Sequence, residues 1–184
     1  IDREDLPAPV VTALIRTAAF QNPEFYRAQA MRLPTFGKPR IISCAELERN
    51  HIGLPRGCLD EANTLLLSLG AEPIIEDLRV EGASLPEGTI FRGELRPAQQ
   101  RAFSNLKQND FGVLAATTAF GKTVLAAALI AERARNTLVL VHRRELLTQW
   151  VERLKTFLAI DPKLVGTIGG GRKRPTGVVD VALI

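Results

Sequence analysis

The chain has 184 residues, 24 Lys/Arg against 20 Asp/Glu for a formal net charge of +4, and 46% hydrophobic residues. That length and apolar content allow one large or two small cores and exclude a disordered tail or a low-complexity tract. No run of eighteen apolar residues occurs, which excludes a membrane-spanning helix, and with no signal peptide the composition is that of a cytoplasmic protein without a membrane partner.

The chain starts at Ile1, as expected of a processed product or a piece of a longer protein. Apolar spacing through Val10, Ala13, Leu14 and Thr17 predicts a helix over Pro9 to Phe20. A second helix starts at Asn22-Pro23-Glu24, with Asn22 as N-cap and Pro23 in the first helical position, and runs to about Arg32. Gly37-Lys38-Pro39 turns the chain into a strand from Arg40 to Cys44. A third helix is predicted from about Asp60 to Leu69, closed by Gly70. Pro73 to Val80 alternates weakly, as a strand would, and Gly82 to Gly88 with Pro86 reads as a linker.

From there the rhythm changes. Helices are predicted at Arg96 to Leu106, Thr123 to Arg135 and Arg144 to Phe157. Strands are predicted at Phe111 to Ala115, Thr137 to His142, Leu164 to Ile168 and Val178 to Ile184. Short apolar strands alternating with longer helices predict a doubly wound α/β domain, a parallel sheet with helices on both faces. The expected division is a small α+β module over residues 1–88 and the α/β part over 89–184. Because the last run reads as a core strand with nothing after it, the chain is expected to be a truncated piece.

Charge and cysteines add less. Residues 1–92 carry 10 Lys/Arg against 13 Asp/Glu, and residues 93–184 carry 14 against 7. Within the acidic half, Arg27, Arg32, Lys38, Arg40, Arg49 and Arg56 face only Glu46 and Glu48 over residues 27–56. Such segregation suits a polyanion partner, and equally an unevenly charged solvated surface. Cys44 and Cys58, with His51 between them, form no C-x-x-C pair. They read as reduced thiols, the alternatives being a metal site or a disulfide.

The most specific stretch is Ala116-Thr117-Thr118-Ala119-Phe120-Gly121-Lys122-Thr123, where a predicted strand passes into a predicted helix. A phosphate-binding loop belongs at that junction. Backbone N–H groups of Thr117, Thr118, Ala119, Phe120 and Gly121 and the positive end of the helix would surround the phosphates of ATP. Lys122 would reach the β- and γ-phosphates, and the Thr123 hydroxyl would be a Mg²⁺ ligand. Ala116 stands where the strict G-x-x-x-x-G-K-[ST] pattern has glycine, and Ala119 at a place often held by one. The alternative is a Gly-Lys-Thr that merely starts a helix.

Three stretches together carry a resemblance. Gly93-Glu94-Leu95-Arg96-Pro97-Ala98-Gln99-Gln100, the loop, and Leu138 to Trp150 (LVLVHRRELLTQW) resemble, in order and spacing, the Q-motif, motif I and motif Ia of superfamily 2 helicases. The nearest branch is that of the xeroderma pigmentosum group B helicase and the res subunits of restriction enzymes. The resemblance implies a RecA-like fold and adenine recognition by Gln99 with Arg96 near the base or sugar. It also implies that Arg143 and Arg144, at the carboxyl end of a strand, grip the phosphates of a nucleic-acid strand. Gly170 and Arg172, in the Gly169-Gly170-Gly171-Arg172-Lys173-Arg174 run, join them as candidates, the alternative being a flexible basic loop. His142 and Trp150 read as rim and core residues.

The first module is similar to the accessory domain that precedes helicase cores in prokaryotic TOTE conflict-system proteins, on Asn22 to Tyr26, Lys38 to Ile42 and Leu54-Pro55-Arg56-Gly57. That implies contact with duplex or distorted DNA by Arg27, Arg32, Lys38, Arg40 and Arg56. Phe25 and Tyr26 read as a core pair, with base stacking as the alternative. The resemblance as a whole implies an ATP-dependent DNA helicase or translocase as the parent, RNA being an open alternative. No D-E-x-[DH] box follows the loop within the chain, so the chain by itself is expected not to turn over ATP. The competing readings are a nucleic-acid-binding module joined to an inactive motor half and a small P-loop kinase, for which no acceptor lid is found.

Overall fold

The structure, a computed structural model, describes every residue except Asp5, and of Arg172 the backbone alone. It resolves into two compact units, Ile1–Asp77 and Leu78–Ile184.

In the first unit, α1 (Ala8–Thr17) and α3 (Leu59–Ser68) enclose a small core of Leu14, Ile52, Ala62 and Leu66. The predicted first helix stops early because Ala19–Gln21 leaves it to form β1, which pairs antiparallel with β2 (Ile41–Ser43). Between them α2 (Pro23–Ala30) begins as predicted: Asn22 Oδ1 accepts the Glu24 N–H at 3.0 Å. The same side chain donates to the Pro39 carbonyl at 2.8 Å, so one buried amide caps the helix and fastens the returning chain. A second antiparallel pair, β3 (Glu46–Leu47) and β4 (Ile52–Gly53), lies before α3. Gly70 at φ +80 follows the end of α3, a conformation that favours glycine. Cys44 and Cys58 are free thiols, the second donating to the Thr17 carbonyl.

Pro73 to Val80 forms no strand: Ile74 and Val80 are almost fully exposed and the backbone is irregular. Weak alternation specifies a strand only when a neighbouring strand is there to pair with it. Gly82 to Gly88 is not a loose linker either. Leu85 is buried in the second core, its N–H bonded to the Ala134 carbonyl, and Ser84 bridges Arg135.

The second unit is α/β. Its elements are α4 (Pro97–Lys107), α5 (Lys122–Arg133), β5 (Thr137–Val141), α6 (Arg144–Phe157), β6 (Val165–Gly169), β7 (Arg172–Arg174) and β8 (Val179–Leu183). The sheet runs β5-β8-β6-β7, with β8 parallel to both β5 and β6 in the registers Val139↔Val181 and Thr167↔Val181. Leu147, Leu154 and Leu158 from α6 and its end, and Ala127 and Ile130 from α5, pack with Val141, Val165, Val179 and Val181 of the sheet. The apolar stripes of the two helices thus explain why continuous apolar strands bury here.

Two sequence expectations change. Phe111 to Ala115 is not a strand of this sheet: Val113 is 95% exposed, Phe111 is exposed, and no described strand pairs with the segment. An apolar run bounded by turn residues signals a buried strand but does not supply the pairing partners. Conversely, the glycine run is a hairpin rather than an open loop. Gly170 and Gly171, both at positive φ, join β6 to antiparallel β7 in a two-residue turn.

Candidate nucleotide site and nucleic-acid rim

The loop before α5 is shaped by two left-handed residues. Gly121, the N-cap of α5, has φ +89, and Ala119 has φ +65. A left-handed alanine is strained by about 1–2 kcal/mol, which gives a physical reason why glycine suits that place better. Gly121 is constrained twice, since a Cβ there would lie 2.4 Å from Gln99 Nε2. Beyond it the first-turn N–H groups of α5, at Lys122 and Thr123, have no intrahelical acceptor and form the positive end of the helix. Thr123 is half-buried, and Lys122 is exposed with its Nζ folded back onto the Thr117 carbonyl at 2.8 Å.

Because, among the described residues, no strand holds the loop from the sheet side, its grip comes from α4. The Gln99 side chain is buried; its Oε1 accepts the Arg96 N–H at 2.9 Å, capping α4, and its Nε2 donates to the Phe120 carbonyl at 2.7 Å. Arg96 Nη2 donates to the carbonyls of Ala119 and Phe120. Both ends of the Gln99 amide are therefore engaged by protein, and in this arrangement it positions the loop rather than facing a ligand. Helix α4 is itself braced on α5 by Lys107–Glu132 and by Arg133 Nη2 donating to the carbonyls of Leu106 and Asn109.

Between the start of α4 and the loop lies a cleft of about 580 Å³, lined by Arg96, Pro97, Ala98, Arg101 and Thr117 to Phe120. Arg101 was not anticipated in the sequence. The usable signal was its spacing, four residues after Pro97 and three after Ala98 on one helical face. Arg96 and Arg101 in this cleft, with Lys122 and the first-turn N–H groups of α5 next along the loop, are a donor set whose chemistry fits a phosphorylated ligand. A divalent ion would find the Thr123 hydroxyl, and among the described residues no cluster of His, Cys, Asp and Glu competes to hold one.

The second candidate region lies at the carboxyl ends of the parallel strands. Arg143 is the N-cap of α6 in extended conformation, and both it and Arg144 are exposed. Gly170 comes to the same rim: a Cβ on it would stand 3.7 Å from Arg144 Nε. Arg172 lies outside the described residues except for its place in β7. Of the residues predicted in the first unit, Arg27 is in α2, and Arg32, Lys38 and Arg40 are on the connection from α2 to β2. Arg56 is elsewhere, in the short 3-10 turn Arg56–Cys58. Phe25 and Tyr26 form an edge-to-face pair with Arg40 over the Phe25 ring, a half-buried packing arrangement. Trp150 is packed against the second core.

Residues 92–182 match the family model described as "Type III restriction enzyme, res subunit". A stretch of 102 residues, 55% of the chain, is 34% identical to the Putative DNA 3'-5' helicase Rad25 of Halobacterium salinarum. A stretch of 85 residues, 46% of the chain, is 34% identical to the DNA 3'-5' translocase XPB2 of Sulfurisphaera tokodaii. These stretches amount to 17% and 19% of the two relatives, so the chain spans less than a fifth of either. Among solved structures, the fold is similar to that of the UvsW helicase from bacteriophage T4. The TM-score is 0.63 at 18% identity, over 97% of this chain and 70% of that one.

Proposed function

We propose, from the premise that this chain is part of a superfamily 2 helicase of the Rad25/XPB and res-subunit kind, that its second unit is the ATP-binding half of a DNA-translocating motor. The observation that carries the reading is the loop at Ala119 to Lys122, with two left-handed residues leading into the free N–H groups of α5.

In this reading the first-turn N–H groups of α5 hold the β-phosphate. Lys122 exchanges the Thr117 carbonyl for the β- and γ-phosphates, and the Thr123 hydroxyl ligates Mg²⁺. Arg96 and Arg101 line the cleft for the nucleoside end. When bound, ATP·Mg²⁺ supplies the phosphoanhydride whose hydrolysis drives movement. Gln99 couples the two parts by holding Phe120 through its amide while capping α4. At the rim, Arg143, Arg144 and the Gly170 turn hold the phosphates of a DNA strand, Arg172 being a further candidate on its sequence alone. The first unit is an accessory DNA-binding module, its contacts made by Arg27, Arg32, Lys38, Arg40 and Arg56. Because the chain carries no acidic box after the loop, hydrolysis requires residues the chain does not contain.

The test is binding of a fluorescent ATP analogue, with and without Mg²⁺, to the chain and to Lys122→Ala. Saturable binding that is strengthened by Mg²⁺ and weakened at least tenfold by K122A is expected. Equal binding by both proteins would remove the loop from the nucleotide site, and rapid ATP turnover by the chain alone would overturn the division of labour.

A further inference from the structure

The first unit presents one aromatic ring with no packing role. Phe36 is 99% exposed, against 51% for Phe20 and for Phe111. It does not stand on a loose tail. The Lys38 N–H closes the turn on the Thr35 carbonyl at 3.0 Å, and Gly37 at φ +74 completes it between Pro34 and Pro39, which stiffen both approaches. Both stems are tied down. On one side the Leu33 N–H bonds the Ala28 carbonyl at 2.8 Å, closing α2 over left-handed Arg32. On the other, Asn22 fastens the returning chain, its N–H donating to the Arg40 carbonyl and its Nδ2 to the Pro39 carbonyl.

Charge indicates what the ring is for. No Asp or Glu occurs from residue 25 to residue 45, while Arg27, Arg32, Lys38 and Arg40 fall within that span. Met31 and Leu33 on the same connection are also exposed. A stiff turn that holds an aromatic ring in water, on a segment with four cations and no Asp or Glu, suits a polyanion that also offers flat apolar faces. Nucleic acid has both, and an acidic protein surface has only the first. Bases that are already unstacked suit it best, because prising apart stacked pairs consumes much of what a single ring returns.

We propose that Phe36 is a base-stacking probe, by which the first unit recognises unpaired or mismatched bases while Arg32 and Lys38 hold the flanking phosphates. The inference rests on the DNA-binding reading of this unit and adds a specificity-determining residue to it.

The test compares the whole chain with Phe36→Ala and Phe36→Trp on three fluorescein-labelled DNAs of the same sequence: a fully paired duplex, a duplex with a central mismatched bubble, and the single strand. A 2-aminopurine in the bubble reports stacking directly. F36A should bind the bubble and the single strand roughly 5- to 150-fold more weakly, the loss of one stacked base, and should change paired-duplex binding less than twofold. F36W should restore affinity and quench the 2-aminopurine. Because the side chain is fully exposed, F36A should leave the circular dichroism spectrum unchanged. If the chain binds DNA but F36A binds all three DNAs like the parent, or loses all three equally, the probe is refuted and the DNA-binding reading stands. If the chain binds none of them, both fall.

Discussion

A buried carboxamide shares with the Arg96 guanidinium the task of holding the loop to α4, and its two ends do different work. Gln99 Oε1 caps α4, whereas Nε2 grips the Phe120 carbonyl. Gln99→Glu separates them, since it keeps the acceptor for the Arg96 N–H but sets a carboxyl oxygen against a carbonyl oxygen. The expected result is a loss of about 1–3 kcal/mol in urea unfolding, together with weaker binding of the ATP analogue. Destabilisation with unchanged nucleotide affinity would make the tie purely architectural. Gly166 illustrates a related constraint in the sheet. A Cβ there would lie 2.0 Å from Asp180 Oδ1, and that buried carboxylate accepts the N–H groups of Thr176 and Gly177. Sequence places Gly166 in a strand but does not announce this constraint, because the obstructing side chain belongs to Asp180, its partner on the neighbouring strand.

Among the elements, those whose local signals agree with their packing are where the sequence places them. α6 runs Arg144–Phe157 as its apolar stripe predicts, and α2 starts at its Asn-Pro cap. The strand predicted at Phe111 to Ala115 was not to be had from the same kind of signal, because a strand is completed by neighbours and periodicity describes only the segment itself. The hairpin at Gly169 to Arg174 was hidden for the opposite reason: glycines and cations read as a loop, yet two positive-φ glycines in succession are what a two-residue hairpin turn needs. Asn22 makes the clearest test at this scale, since one side chain serves both α2 and the chain entering β2. Asn22→Ala should destabilise the first unit by about 2 kcal/mol, the cost of a lost cap and an orphaned carbonyl. Hydrogen exchange should quicken first at the Glu24 amide. If the global transition shifts while that amide keeps its protection, the cap is not what the residue contributes.

For the molecule as a whole, the sequence divides the chain by composition and the structure divides it by packing. The packing boundary, between Asp77 and Leu78, comes before Leu85, whose burial no local signal announces. Candidate-site residues were legible to the degree that their chemistry is contiguous in sequence: the loop was, whereas Arg101 and the Gly170–Arg144 approach depend on how helix and hairpin fold back. One feature of the sheet bears on how the chain behaves in a test tube. β5 is an edge strand, its five residues Thr137–Val141 contain no charge, and Leu138 and Leu140 are each 56% exposed. Such a margin is adhesive: it offers a neighbouring copy unpaired backbone groups and a greasy flank whose charges, Arg135 and Arg143, stand only beyond its ends. Leu138→Lys should raise the concentration at which static light scattering departs from that of a monomer, while leaving the far-ultraviolet spectrum unchanged. If scattering stays the same, clumping starts elsewhere. If instead the onset rises, colloidal behaviour, and with it the salt and concentration suited to every binding assay, is governed by five uncharged residues outside both candidate sites.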